Sequence, residues 1–159
     1  MSTLVELVLT NAAWAEISCH AVEVFPEECC GVIVGRDGAD EVRRMNNIQN
    51  RLHALDPQTY PRDATIAYAI NPRELEAIIQ EAEAKGAKLK AFYHSHPDHD
   101  AYFSAEDKAF ATPFGDPTYP DAAQIVISIY DRAVKRICAY AWTDPQKDFV
   151  EIALRKRPA

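Results

Sequence analysis

The sequence predicts a single α/β domain, a mixed β-sheet with helices packed against it. Three observations carry this expectation. Segments with apolar residues at helical spacing alternate with short β-branched runs, in the order αββ, βα, βα, βββ. A length of 159 residues and a mass of 17.8 kDa suit one hydrophobic core. Hydrophobic residues at 48% and charged residues at 26% are ordinary for a folded chain, which excludes disorder of the bulk.

Residues 4–9 alternate weakly and read as a short strand. Thr10 is placed as an N-cap. Trp14, Ile17, Ala21 and Val22 recur at helical spacing, so 11–24 is an amphipathic helix that ends before Pro26. Cys29 to Val34 is an apolar strand, Arg36-Asp37-Gly38 a tight turn, and 40–47 the returning strand. The polar stretch 48–64, with Pro57 and Pro61, reads as a long loop and a candidate lid or substrate-binding segment. Residues 65–70 are the next strand candidate. Asn71-Pro72-Arg73-Glu74 starts a helix: Asn caps it, Pro takes the first helical position, and Glu follows three residues after the cap. Leu75, Ile78, Ile79 and Ala82 form its apolar face, and Gly86 stops it. Lys88 to His94 is a strand, a helix begins at Ser104, and 124–130 is a β-branched strand. Asp131-Arg132 turns the chain, and 134–142 and 148–154 are the last two strands. The expected division is one domain over 1–154 and a basic tail, 155–159.

Asp and Glu number 24 against 17 Lys and Arg, a formal charge of −7. Such a chain repels a phosphate backbone, so nucleic acid is not an expected partner. No apolar run approaches the ~20 residues of a membrane span. The first residues lack a basic region and an apolar core, so no secretory signal is expected. Cys19, Cys29, Cys30 and Cys138 form neither a disulfide framework nor a CxxC knuckle. They read as reduced thiols of a cytoplasmic protein, with Cys29 and Cys30 on opposite faces of a strand.

The chemistry lies in Phe92-Tyr93-His94-Ser95-His96-Pro97, followed by Asp98 to Phe103 and Ser104-Ala105-Glu106-Asp107. His94 and His96 are two apart at a strand end, so both rings share one face. Two imidazoles so placed can meet one metal ion, and Asp107 in the next helix can add an oxygen ligand. Three protein ligands with one open position is the pattern of a catalytic zinc site. Hydrolysis also needs a general base, for which Glu27 or Glu28 is available. Each fragment has a plainer reading. Ser104-x-x-Asp107 is also a capping box, and Glu27-Glu28 can be solvated charge before a strand. His99 reads as a solvated loop residue or substrate contact, and His20 and His53 as surface residues. Cys29 and Cys30 read as small buried thiols, while Tyr102 and Phe103 are candidates for lining a substrate groove.

His-Ser-His-Pro, six residues, then Ser-x-x-Asp resembles the signature of the JAMM (MPN-plus) metalloprotease family, in its stand-alone bacterial form. Pro26-Glu27-Glu28-Cys29-Cys30-Gly31-Val32-Ile33-Val34-Gly35 resembles the segment around the family's catalytic glutamate. The similarity runs from the first helix to the third-last strand. It implies an MPN-like (cytidine-deaminase-like) fold, with His94, His96 and Asp107 as ligands of Zn2+. It also implies Glu28 as general base and Ser104 as hydrogen-bond donor to the developing oxyanion. The implied activity is hydrolysis of peptide or isopeptide bonds at the C-terminus of a ubiquitin-like protein. For a chain of this length without the insertions of eukaryotic deubiquitinases, the implied partner is a sulfur carrier with a Gly-Gly tail. Two other readings remain. One is a metal-bearing MPN interaction module without catalysis. The other is a DNA-repair-associated relative, disfavoured by the charge and by the missing glycine after His-x-His-Pro. A nucleoside deaminase is excluded, since there is no His-x-Glu with a Pro-Cys-x-x-Cys partner.

Overall fold

The structure is a computed structural model that describes residues 4–158. Strand β1 (Glu6–Thr10) leads into helix α1 (Asn11–Val24). Thr10 caps α1, its hydroxyl accepting from the Ala13 N–H at 3.1 Å. Strands β2 (Cys30–Arg36) and β3 (Ala39–Met45) form a hairpin, and α2 (Gln49–Leu55) and α3 (Pro72–Ala84) follow. Strand β4 (Lys88–Pro97), helix α4 (Ala105–Ala111), and strands β5 (Ala123–Tyr130), β6 (Ala133–Thr143) and β7 (Asp148–Arg157) complete the chain. The seven strands form one sheet in the order β1-β7-β6-β5-β4-β2-β3. The β4–β5 and β1–β7 pairs are parallel and the rest antiparallel, so the sheet is mixed as expected. Among the described residues no helix is long and apolar enough to cross a membrane.

Period-2 alternation along β2 and β4 divides the core between two faces. Cys29, Ile33, Ala91 and Tyr93 face α1, where Ile17 and Ala21 pack with Leu7, Leu9, Ile125 and Ile127. Cys30, Val32 and Phe92 face the other way, onto Tyr68, Ile70 and the Leu75 and Ile78 stripe of α3. The adjacent cysteines therefore lie on opposite faces, as the sequence indicates, and all four cysteines are free thiols. His94 and His96 continue the Phe92 face, so the α3 side of the sheet carries the site.

Four sequence expectations change. The stretch 48–64 contains α2, because Asn47 organises its start: the Asn47 Oδ1 accepts from the Gln49 and Ala69 N–H groups. Residues 65–70 are not a strand. Their neighbours are side chains and turns, and Tyr68, Ala69 and Ile70 are buried as a strap across the sheet. His20 is not a surface residue; it is 6% exposed and shares a 2.7 Å hydrogen bond with the Tyr93 hydroxyl, while Val22 is exposed. Arg155, Lys156 and Arg157 are not a separate tail. Their backbone extends β7 and pairs in parallel with Val8, Leu9 and Thr10.

Candidate metal centre

The C-terminal end of β4 delivers two imidazoles to one point. Strand alternation aligns His94 and His96, and their Nε2 atoms approach to 3.1 Å. Helix α4 brings the third group. Ser104 is its N-cap and Asp107 its third residue, and together they close a capping box. The Ser104 hydroxyl accepts from the Asp107 N–H at 3.0 Å, and the Ser104 N–H donates to Asp107 Oδ2 at 3.0 Å. That same Oδ2 lies 3.2 Å from each Nε2. Capping and convergence on the histidines thus use one carboxylate oxygen, and the cap is what aims it.

The three atoms form a triangle with edges of 3.1–3.2 Å. Tetrahedral bonds of about 2.0–2.1 Å to zinc place ligand atoms about 3.3 Å apart, close to this spacing. Hydrogen bonding supports the same use. His96 Nδ1 lies 2.9 Å from the Asp100 carbonyl, which can only accept, so Nδ1 carries the proton and Nε2 presents a lone pair. His94 is fully buried, and its Nδ1 has no hydrogen-bond partner. A buried ring nitrogen left without a partner costs about 1–3 kcal/mol. Burial lowers the pKa of His94 against the pull of Asp107. Burial also opposes charge on His96, but the Asp107 carboxylate outweighs it and holds His96 above its ordinary value. Asp107 is buried too, yet the two imidazoles and the Ser104 N–H hold its carboxyl well below the usual range. Two imidazole nitrogens and a carboxylate oxygen converging in a buried place suit a positive charge between them. The donor set fits a metal ion.

Glu28 reaches the site through sheet register. Cys30 pairs with His94, and Cys29 exchanges hydrogen bonds with Ser95: its N–H donates to Ser95 Oγ at 2.7 Å and its carbonyl accepts from the Ser95 N–H at 3.2 Å. One step further sets Glu28 opposite His96. Its backbone is held on both sides, the N–H by the Ala64 carbonyl at 2.8 Å and the carbonyl by the Asn47 amide at 3.0 Å. The side chain is 6% exposed, and burial pushes its carboxyl up to about 8, with a nearby His96 opposing and Asp107 adding to the rise. Glu27 is directed instead toward Asn50 at the surface.

Glu28, His96, Ser104 and Asp107 line one cavity of about 510 Å³. Tyr102 and His99 also line it, whereas Phe103 turns inward against Tyr140 and Phe149. The sequence reading overlooked several neighbours. Tyr68 stacks on the His94 ring at 4.5 Å, and Gln49, Arg62, Ile66 and Phe110 complete the wall. Asn47 just before α2 and Asn50 in its first turn were the available signal, since paired amides in a polar stretch commonly fix local turns.

Comparison with known proteins shows the family of the chain. Residues 10–147 match the family of prokaryotic homologs of the JAB domain. The chain belongs to this family. A desampylase from Haloferax volcanii is 28% identical over 129 residues, covering 81% of this chain and 79% of that protein. A CysO-cysteine peptidase from Mycobacterium tuberculosis is 27% identical over 125 residues, covering 79% and 75%. Among solved structures, a protein from Desulfitobacterium hafniense matches with a TM-score of 0.70 at 22% identity, covering 96% of this chain and 93% of that one. A JAB1/MPN domain protein from Archaeoglobus fulgidus matches with a TM-score of 0.51 at 17% identity, covering 94% and 99%. The JAB fold expected from the sequence is therefore the fold observed.

Proposed function

We propose that this JAB-domain chain is a zinc-dependent hydrolase that cuts an amide bond at the C-terminus of a ubiquitin-like protein, a sulfur carrier with a Gly-Gly tail. The observation that carries the reading is the convergence of His94, His96 and Asp107 on one point in a cavity that also holds a buried carboxyl, Glu28. The relatives named as a desampylase and a CysO-cysteine peptidase support hydrolysis. The free thiols suit a cytoplasmic setting.

In this reading His94, His96 and Asp107 hold the ion. Bound zinc would supply a Lewis acid and lower the pKa of its water to about 7. Glu28 takes the water proton at a carboxylate oxygen and returns it to the leaving amine. A proton affinity raised by burial suits that exchange near neutral pH. The Ser104 oxygen is occupied as an acceptor by the Asp107 N–H, which leaves its own O–H to donate to the carbonyl oxygen as charge grows there.

The test is metal content of the purified chain, paired with cleavage of a ubiquitin-like carrier bearing a short extension after Gly-Gly, with and without chelator. The expected result is about one zinc per chain and trimming that chelator abolishes. Glu28→Gln is expected to keep zinc and lose hydrolysis. Zinc without cleavage of any carrier would favour a metal-bearing interaction module instead. Absence of zinc would reduce Ser104-x-x-Asp107 to a capping box.

A further inference from the structure

Arg62 has no part in the chemistry above, yet it stands in the wall of the same cavity as Glu28 and His96. Among the described lining residues it carries the only permanent positive charge. Its position is built rather than incidental. The buried Gln49 side chain donates to the Arg62 carbonyl at 2.9 Å. Two residues on, the Ala64 N–H donates to Asn50 Oδ1 at 2.8 Å, and the Ala64 carbonyl accepts from the Glu28 N–H at 2.8 Å. Helix α2 and the backbone of Glu28 therefore hold the Arg62 segment at a set place relative to the buried carboxyl.

The guanidinium itself is only lightly engaged. One nitrogen, Nη2, donates to Glu106 Oε1 at 2.8 Å, and both partners are about half exposed. No other protein acceptor meets it among the described residues, so most of its five donors remain open. An exposed pair of this kind adds little stability, so sharing it with an incoming anion costs little. The rest of the lining is rich in carboxyl groups: Glu28, Glu106 and Asp107. Away from the candidate metal centre, Arg62 is the one fixed positive charge among the described lining residues, so a carboxylate entering the cavity is drawn to it. A planar, open guanidinium is suited to accept a carboxylate in a two-pronged contact.

Resting on the hydrolase reading above, we propose that Arg62 binds the free α-carboxylate of the leaving fragment. The bond cut is then a peptide bond close to a free C-terminus, releasing an amino acid or short peptide, rather than an isopeptide bond to an internal lysine. The balance is that of simple hydrolysis. The C–N bond breaks, the water oxygen joins the carbonyl carbon as the carrier's new carboxylate, and the amine leaves with the returned proton. Arg62 touches only the leaving fragment's far end and acts as a specificity residue.

The test uses the zinc-loaded full chain and two carrier substrates extended after Gly-Gly by one alanine, as the free acid and as the carboxamide. The wild type is expected to favour the acid by about 10–100-fold in kcat/KM, chiefly through KM. Arg62→Gln is expected to lose that preference, its kcat/KM on the acid falling to its own value on the carboxamide, and Arg62→Lys to keep part of it. Unchanged zinc content and melting temperature would show that the variants are folded. Equal wild-type rates on acid and amide overturn the proposal, as does a preference that survives in Arg62→Gln. If neither substrate is cut, the hydrolase reading has failed by itself. Titration of the tripeptide Gly-Gly-Ala as acid and as amide then decides the Arg62 contact: tighter binding of the acid, lost in Arg62→Gln, supports it, and equal binding overturns it.

Discussion

Asp107 shows how one residue serves two demands. Its Oδ2 accepts the Ser104 N–H and faces both imidazoles, so the helix cap and the candidate metal centre share an atom. Asp107→Ala is expected to lower zinc content several-fold, read by elemental analysis, while Asp107→Asn keeps the cap better than it keeps the metal. Unchanged zinc in Asp107→Ala would leave the cap as its only role. Ser104→Ala is expected to lower turnover by about 10²–10³-fold if its hydroxyl meets the oxyanion, measured as kcat on the carrier substrate. The buried imidazole of His20, on α1 and bonded to Tyr93 of β4, is expected to make stability depend on pH. Burial lowers His20 from 6.5 to about 4, with Arg44 adding to the effect. The unfolded chain therefore binds a proton that the folded chain refuses, and stability is lost as pH falls from about 6.5 towards 4. A His20→Phe variant is expected to flatten that part of the stability–pH curve, a difference of about 1–3 kcal/mol by urea unfolding. An unchanged curve would mean that His20 binds its proton equally well in the folded and the unfolded chain.

At the scale of elements, short helices here earn their place by hydrogen bonds rather than length. Helix α2 has seven residues, too few to be stable alone, and it is held through Asn47, Gln49 and Asn50. Helix α3 relies on its cap: Asn71 Oδ1 accepts from the Arg73 N–H at 2.9 Å, and Pro72 fills the first position. Asn71→Ala is expected to cost about 1 kcal/mol, read as a lower denaturation midpoint with unchanged slope. Strand β2 needs Gly31 for a different reason. A Cβ there would meet the Tyr93 ring at 2.5 Å and the Arg43 carbonyl at 2.6 Å, and the Tyr93 hydroxyl is already tied to His20. The glycine is what lets β3 and Tyr93 close on the strand that leads away from Glu28.

Across the whole molecule, the sheet curls until its two edges approach. Asp40 on β3 accepts from the Thr10 N–H at the end of β1 at 2.8 Å and from Lys90 on β4 at 2.7 Å. Its side chain is 1% exposed, so the pair is partly shielded from water. Asp40→Ala would leave the Thr10 N–H without a partner and Lys90 with only the Val8 carbonyl. The expected cost is about 2–4 kcal/mol, measured by urea unfolding of the metal-free chain. A loss below about 0.5 kcal/mol would mean that water replaces Asp40 freely. Because this tie is distant from the α3 face, zinc content of the folded variant is expected to stay unchanged.

Local signals were sufficient wherever the cause was local. Thr10 and Asn71 are caps set by their own side chains, the β-branched run near 124–130 forms a strand, and His94 and His96 share a face because strands alternate. The association of His94, His96 and Asp107 was also legible, because their spacing spans one strand end and one helix start. The rest depended on contacts made between segments far apart in the chain. Residues 65–70 have the composition of a strand, but the backbone groups of Ala67 and Ala69 are taken by the Asn47 amide and the Ile48 N–H, leaving no ladder to join. His20 is buried because Tyr93, 73 residues away, offers its hydroxyl, and Arg155–Arg157 are strand because β1 lies beside them. Arg62 shows no motif at all. Its place beside Glu28 follows from Gln49 and Ala64 hydrogen bonds, which exist only once the chain has folded and backbone groups must find partners away from water.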